Sequence, residues 1–141
     1  MYTSAETVLI PIHPKFVEKI FDKKKRIEFR KFEFKQNVNK VLIYSTWPKS
    51  KIVGYFEIAK IEKLTPDKMW NKYSIIGGIE QVDFIEYYKN KKIALGILIK
   101  KVYKFEEEID LHSVNLTTPQ SFQYINENIF KNICERGKLL I

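Results

Sequence analysis

The spacing of apolar positions changes several times along the chain, and each change predicts an element. The first continuous apolar run, Thr7–Ile10 (TVLI), is ended by Pro11 and predicts a strand. His13-Pro14 opens a helix, because a proline in the first turn forfeits no hydrogen bond. Val17, Ile20 and Phe21 repeat at i, i+3 and i+4, Phe16 widens their stripe, and the helix is expected to end near Lys23. In Arg26–Phe34 (RIEFRKFEF) apolar and charged residues alternate, with a phase shift around Lys31 that suggests a bulge or bend in a half-buried strand. Lys40–Thr46 (KVLIYST) is more continuously apolar and predicts a more buried strand. After the turn at Pro48, Lys51–Glu62 reads as a long strand, in which Gly54 marks a bulge or a close backbone approach.

The second half is more broken. Thr65-Pro66-Asp67 is a capping sequence for a short helix through Trp70. Gly77-Gly78 marks a loop, and Gln81–Tyr88 fits a short helix with Val82, Ile85 and Tyr88 roughly aligned. Lys92–Tyr103 predicts another strand, and FEEEIDLHSVNL after it reads as a connector. Thr118-Pro119 begins a last helical region in which Phe122, Ile125, Ile129 and Ile133 share a face. Short turns between successive strands favour antiparallel pairing. The expected architecture is α+β: a curled mixed sheet or small barrel with helices at its ends.

Composition sets the bounds of this reading. With 141 residues and no linker-like stretch, residues 1–141 are expected to form a single domain. Ten Phe, eight Tyr and two Trp supply ample core material. No apolar run approaches the roughly 20 residues of a membrane span, and the N-terminus lacks a secretory pattern. The single cysteine, Cys134, excludes an internal disulfide and a Cys-rich zinc site, so a cytoplasmic location is expected. Two separated histidines, no phosphate-binding glycine loop and no nucleophile elbow leave no expected metal or cofactor.

Charge adds a functional direction. The net charge of +8 favours polyanionic partners, although a lysine excess also serves solubility. The densest cluster is Lys23-Lys24-Lys25-Arg26-Ile27-Glu28-Phe29-Arg30-Lys31. Arg26, Glu28 and Arg30 recur every second residue and would share one strand face, able to clamp a phosphate or read a base edge. The competing reading is a solvated face with ordinary ion pairs. Tyr44-Ser45-Thr46-Trp47-Pro48 closes a strand with polar and aromatic groups, suited either to stacking a base or to packing on the adjacent turn. Tyr87-Tyr88 before Lys89, Lys91 and Lys92, and the basic edge at Lys100, Lys101 and Lys104, are further aromatic and cationic groups.

The segment IHPKFVEKIFDKKKRIEFRK resembles the opening of ASCH-type domains of the PUA-like superfamily, whose signature is close to G-x-K-x-x-E-x-R. Lys25, Glu28 and Arg30 match its K, E and R, while Lys23 stands at the glycine. The resemblance continues through Ile43–Thr46, Pro48, Lys51–Phe56, the Trp70 helix and Thr118–Ile125, whose PQSF resembles an ending in one uncharacterised branch. It implies a PUA-like pseudo-barrel: a curled, mostly antiparallel sheet with short helices at its ends. It implies binding of RNA or a modified nucleoside beside the K-x-x-E-x-R strand, in some members with a regulatory role in translation or transcription. Lys25, Glu28 and Arg30, with Tyr44, Ser45, Thr46 and Trp47 from the neighbouring strand, are the residues expected to carry it. One branch hydrolyses acetylated cytidine through a Lys, a Thr and a Glu. Lys25 stands at that Lys position, but Glu28 stands at the Thr position and cannot be the hydroxyl nucleophile. Another branch is linked to RNA cleavage, with no residue pair here that fixes such a role. The expected partner is RNA or a nucleotide-type ligand, not a membrane, and the expected state is a monomer or weak dimer. A hydrolase acting on a modified nucleoside or RNA in the same cleft is the alternative.

Overall fold

The computed structural model describes residues 6–140. Among them seven strands and four α-helices follow in the order β1 (Thr7–Ile12), α1 (Pro14–Phe21), β2 (Ile27–Arg30), β3 (Lys40–Ser45), β4 (Lys51–Leu64), α2 (Pro66–Tyr73), α3 (Gln81–Tyr87), β5 (Ala94–Ile109), β6 (Gln123–Ile125), α4 (Glu127–Gly137) and β7 (Leu139–Leu140). The strands form one sheet ordered β2-β5-β4-β3-β1-β6, with β7 paired to β5. Among the described residues only β1 and β3 run parallel; every other pairing is antiparallel. The architecture is the expected α+β curled sheet.

Both faces of the central strands are covered, which explains why they read as continuous apolar runs rather than alternating ones. On one face Val8, Ile10 and Ile12 of β1 and Val41 and Ile43 of β3 pack with Val17 and Ile20 of α1. On the other, Leu9, Leu42, Tyr44 and Ile52 pack with Phe130 and Ile133 of α4. A third cluster, with Ile27, Phe29, Met69, Phe84 and Tyr88, seats α2 and α3 over β2 and the start of β5.

The sheet ends at β2 and β6, which do not pair. Side chains fill the seam instead: Phe122 lies 4.6 Å from Phe32 and 5.1 Å from Phe34, and the Lys35 amide donates to the Tyr124 hydroxyl at 2.8 Å. This aromatic closure accounts for the first correction. The alternation in Arg26–Phe34 does not make one bulged strand: β2 stops at Arg30, and Phe32 and Phe34 lie on irregular chain that plugs the seam.

Other boundaries shift for local reasons. β1 runs through Pro11, whose missing N–H costs no ladder bond there because β6 pairs only with Thr7–Leu9. The expected helix from Thr118 starts instead at Glu127, capped by the Asn126 side chain, which accepts from the Ile129 amide at 2.9 Å. Ile125 belongs to β6, opposite Thr7. The acidic Phe105–Ile109 is no connector but the second half of β5. On α3 the buried residue is Phe84, followed by Tyr88, while Val82 and Ile85 are exposed. Gly54 sits at the predicted close approach: a Cβ there would lie 2.2 Å from the Tyr103 carbonyl oxygen.

Candidate functional site

The site grows from the turn between α1 and β2. His13 caps α1, its Nδ1 accepting from the Lys15 amide at 3.2 Å, so neutral His13 carries its proton on Nε2. The helix ends at Phe21 with Asp22 as its C-cap, and Lys23 takes a left-handed conformation, φ 63°. A left-handed residue is where glycine is least strained, which explains the glycine of the related motif at this position. The chain then turns so that Lys25 points inward while Arg26 stays exposed.

Lys25 is 2% exposed. Its amine donates to the Gly77 carbonyl at 2.6 Å, lies 3.8 Å from Glu28, and is flanked by the rings of Phe16 at 5.0 Å and Phe29 at 5.1 Å. Burial lowers its pKa, opposed by the nearby Glu28 carboxylate. Glu28 is 4% exposed and accepts from Arg30 Nη1 at 3.1 Å. Arg30 Nη1 also reaches the Pro11 carbonyl at 3.5 Å, so it ties β2 to β1 across the open side of the sheet. Its Nε is buried without a hydrogen-bond partner. The Tyr88 hydroxyl donates to the Arg30 carbonyl at 2.7 Å, and burial raises the pKa of both Tyr87 and Tyr88.

These groups line a cavity of about 150 Å³. Lys25, Glu28 and Arg30 supply its charges, Phe16, Phe29 and Tyr87 its aromatic walls, and Ile12, His13 and Ile79 the remainder. Gly78 makes the fit possible: its φ is 62°, and a Cβ there would come 2.6 Å from the Lys25 Cβ. The cavity therefore offers a cation, a carboxylate and a guanidinium between rings. Such a set can bind a flat polar heterocycle by stacking and edge hydrogen bonds.

The structure brings Lys25, Glu28 and Arg30 together and leaves the β3 residues off the cavity wall. Tyr44 points to the α4 face. Ser45 is buried opposite Ile12, and the Thr46 amide donates to the Ile12 carbonyl at 3.1 Å. Trp47 is 81% exposed. The expected Arg26–Glu28–Arg30 row is corrected: β2 begins after Arg26, which is exposed, and Glu28 pairs with Arg30 at 3.1 Å and with Lys25 at 3.8 Å instead. Phe16, Phe29, His13 and Tyr87 line the cavity without having stood out as site residues. The available signal was weak: Phe29 sits between Glu28 and Arg30, and Tyr87 belongs to an aromatic–basic cluster.

Among solved structures, the chain is similar to ASCH from Zymomonas mobilis, with a TM-score of 0.86 at 18% identity, covering 96% of this chain and 97% of that one. It is also similar to the N-terminal domain of Staphylothermus marinus McrB, with a TM-score of 0.65 at 9% identity and 96% of each chain covered. At these identities the likeness concerns the fold. Among curated proteins, it is 36% identical over 124 residues to an ATP synthase subunit alpha of Ureaplasma parvum, covering 85% of this chain and 15% of that protein. It is 34% identical over 124 residues to the large ribosomal subunit protein uL22 of the same species, covering 86% of this chain and 40% of that protein. The chain thus spans less than half the length of either curated relative. A family model described as Domain of unknown function (DUF365) matches residues 5–127. The chain belongs to the DUF365 family, and its fold is that of the ASCH domains.

Proposed function

We propose that the protein is a binding module for RNA or a modified nucleoside, with the base held in the Lys25–Glu28–Arg30 cavity. The observation that carries this reading is the Glu28–Arg30 pair at 3.1 Å, Glu28 buried and Arg30 largely so, beside the rings of Phe29 and Tyr87. A buried charge pair is costly to maintain and contributes little net stability, so its presence on a cavity wall favours a ligand role. Glu28 accepts from a base amino or imino group, Arg30 donates to a base carbonyl, and Phe16, Phe29 or Tyr87 covers the ring face. Trp47, exposed after β3, offers a stacking surface outside the cavity, while Ser45 and Thr46 support its floor through Ile12. The curated relatives add indirect support. One segment of similar length matches two proteins with unrelated names, which fits a module carried by both rather than the activity of either.

The test is equilibrium dialysis of the protein against a panel of plain and base-modified ribonucleosides. Binding of at least one member, lost in Arg30→Ala, supports the reading. No retained nucleoside at any concentration up to the millimolar range contradicts it.

One observation favours a second reading, a hydrolase acting on a modified nucleoside. Burial shifts the Lys25 pKa downward, the direction a general base requires, and the amine lies 3.8 Å from Glu28 on the cavity wall. Release of product from an amide-bearing nucleoside, abolished in Lys25→Met, would distinguish turnover from retention.

A further inference from the structure

Two basic stretches far apart in the sequence meet at one groove. Lys23, Lys25 and Arg26 follow α1, Lys100 and Lys101 belong to β5, and between them lies a groove of about 370 Å³. Its apolar lining is Ile20, fully buried, with the half-buried Ile99 and Val102. Lys23, Arg26, Lys100 and Lys101 are exposed, and no acidic side chain lines the groove.

Several lysines elsewhere are neutralised, as in Lys49–Glu108, Lys51–Asp110, Lys63–Glu33 and Lys72–Glu62. Others are unpaired among the described residues, whereas the groove gathers unpaired cations from two segments around one trough. Among the described residues, none of the four groove cations takes part in a salt bridge within 4.0 Å. Glu57 stands opposite Lys101 in the β4–β5 ladder but makes no such pair with it. Four unneutralised cations around an apolar trough repel one another, and their summed field attracts a polyanion. A sugar–phosphate chain fits that chemistry: phosphates at the rim, sugars against the aliphatic floor.

Lys25 links this groove to the cavity, since it lines both. We propose that the groove carries the phosphate backbone of a single-stranded polynucleotide, one of whose bases occupies the cavity; this rests on the nucleoside-binding reading above. The ligand is then a strand rather than a free nucleoside, and the groove supplies salt-dependent affinity while the cavity selects the base.

The experiment is an anisotropy titration at several salt concentrations with single strands of about ten nucleotides, within the usual site size for such binders. RNA and DNA of one mixed sequence are compared, and free nucleoside is dialysed in parallel. The variant is K100Q/K101Q, both exposed and neither placed in the cavity. The expected result is binding of a strand by wild type and, in the variant, a salt slope shallower by about 1.4 with unchanged nucleoside retention. Tighter binding of RNA or of DNA identifies the source of the backbone, and either supports the groove. An unchanged slope overturns the groove while leaving the cavity reading intact. Loss of nucleoside retention already in wild type overturns the cavity reading, and the inference with it.

Discussion

The Lys25 amine donates to the Gly77 carbonyl across 52 residues of chain, at 2.6 Å. This bond joins the turn after α1 to the glycine loop after α2, and so fixes one wall of the cavity. Gly78 completes the contact, because any side chain there collides with the stem of Lys25. Gly78→Ala also strains a left-handed residue, and is expected to lower stability by about 1–2 kcal/mol. Urea denaturation checks this; an unchanged midpoint would mean that the loop does not rest on Lys25.

Lys25 gives stability a pH dependence whose sign follows from its environment. Burial is the main cause of its lowered pKa, against an ordinary value of 10.5. Between the folded pKa and 10.5 the unfolded chain therefore binds more protons than the folded one. Stability rises with pH across that window, and the penalty for the buried charge is complete below it. The raised pKa of Tyr55, about 12, acts in the opposite direction above the ordinary tyrosine value of 10.0. Comparison with Lys25→Met, kept below that value, isolates the lysine. The expected outcome is that wild type gains stability relative to the variant as pH rises; a parallel course for the two contradicts it.

Glu28 holds two cations in a nearly dry place. Glu28→Ala leaves Lys25 and Arg30 without their carboxylate, and is expected to cost about 3 kcal/mol. Arg30→Ala in the same background should cost less than it does alone, since its partner is already gone. A double-mutant cycle reads the coupling, expected at about 1–3 kcal/mol. Additive losses would show that the 3.1 Å pair carries no interaction energy.

Gly54 and Lys23 are opposite cases of backbone fit. A Cβ at Gly54 would lie 2.2 Å from a backbone oxygen of β5, so Gly54→Ala must push the two longest strands apart. The expected loss is about 2 kcal/mol. Lys23 already occupies a left-handed conformation, and Lys23→Gly is expected to raise stability by about 0.5 kcal/mol. Chemical denaturation of both variants checks the pair, and a stabilised Gly54→Ala or a destabilised Lys23→Gly contradicts the geometry.

Much of this was legible in the sequence. TVLI and KVLIYST read as buried strands because both their faces are covered, and Thr65-Pro66 marked α2 because capping is local chemistry. Glu28 and Arg30 stood out through their spacing and Lys25 through the resemblance to the K-x-x-E-x-R signature, and all three line one cavity. What failed depended on long-range contact. Phe32 and Phe34 alternate like a strand but are drawn off to meet Phe122 at the seam. Ile125 continues a helical stripe yet pairs with Thr7. Acidic residues 106–108 look like a loop, but β4 and β7 hold that end of β5 in the sheet. The meeting of Lys23–Arg26 with Lys100 and Lys101 needed the fold itself, since nothing local aligns residues so far apart.

In the nucleoside-binding reading a base sits between the rings of the Lys25 cavity. The most direct measurement is a nucleoside titration of the protein followed by aromatic carbon–proton NMR. Saturable shifts of Phe16, Phe29 and Tyr87 are expected, with Phe130 on the far face unmoved. Shifts confined to Trp47, or none at all, would contradict it.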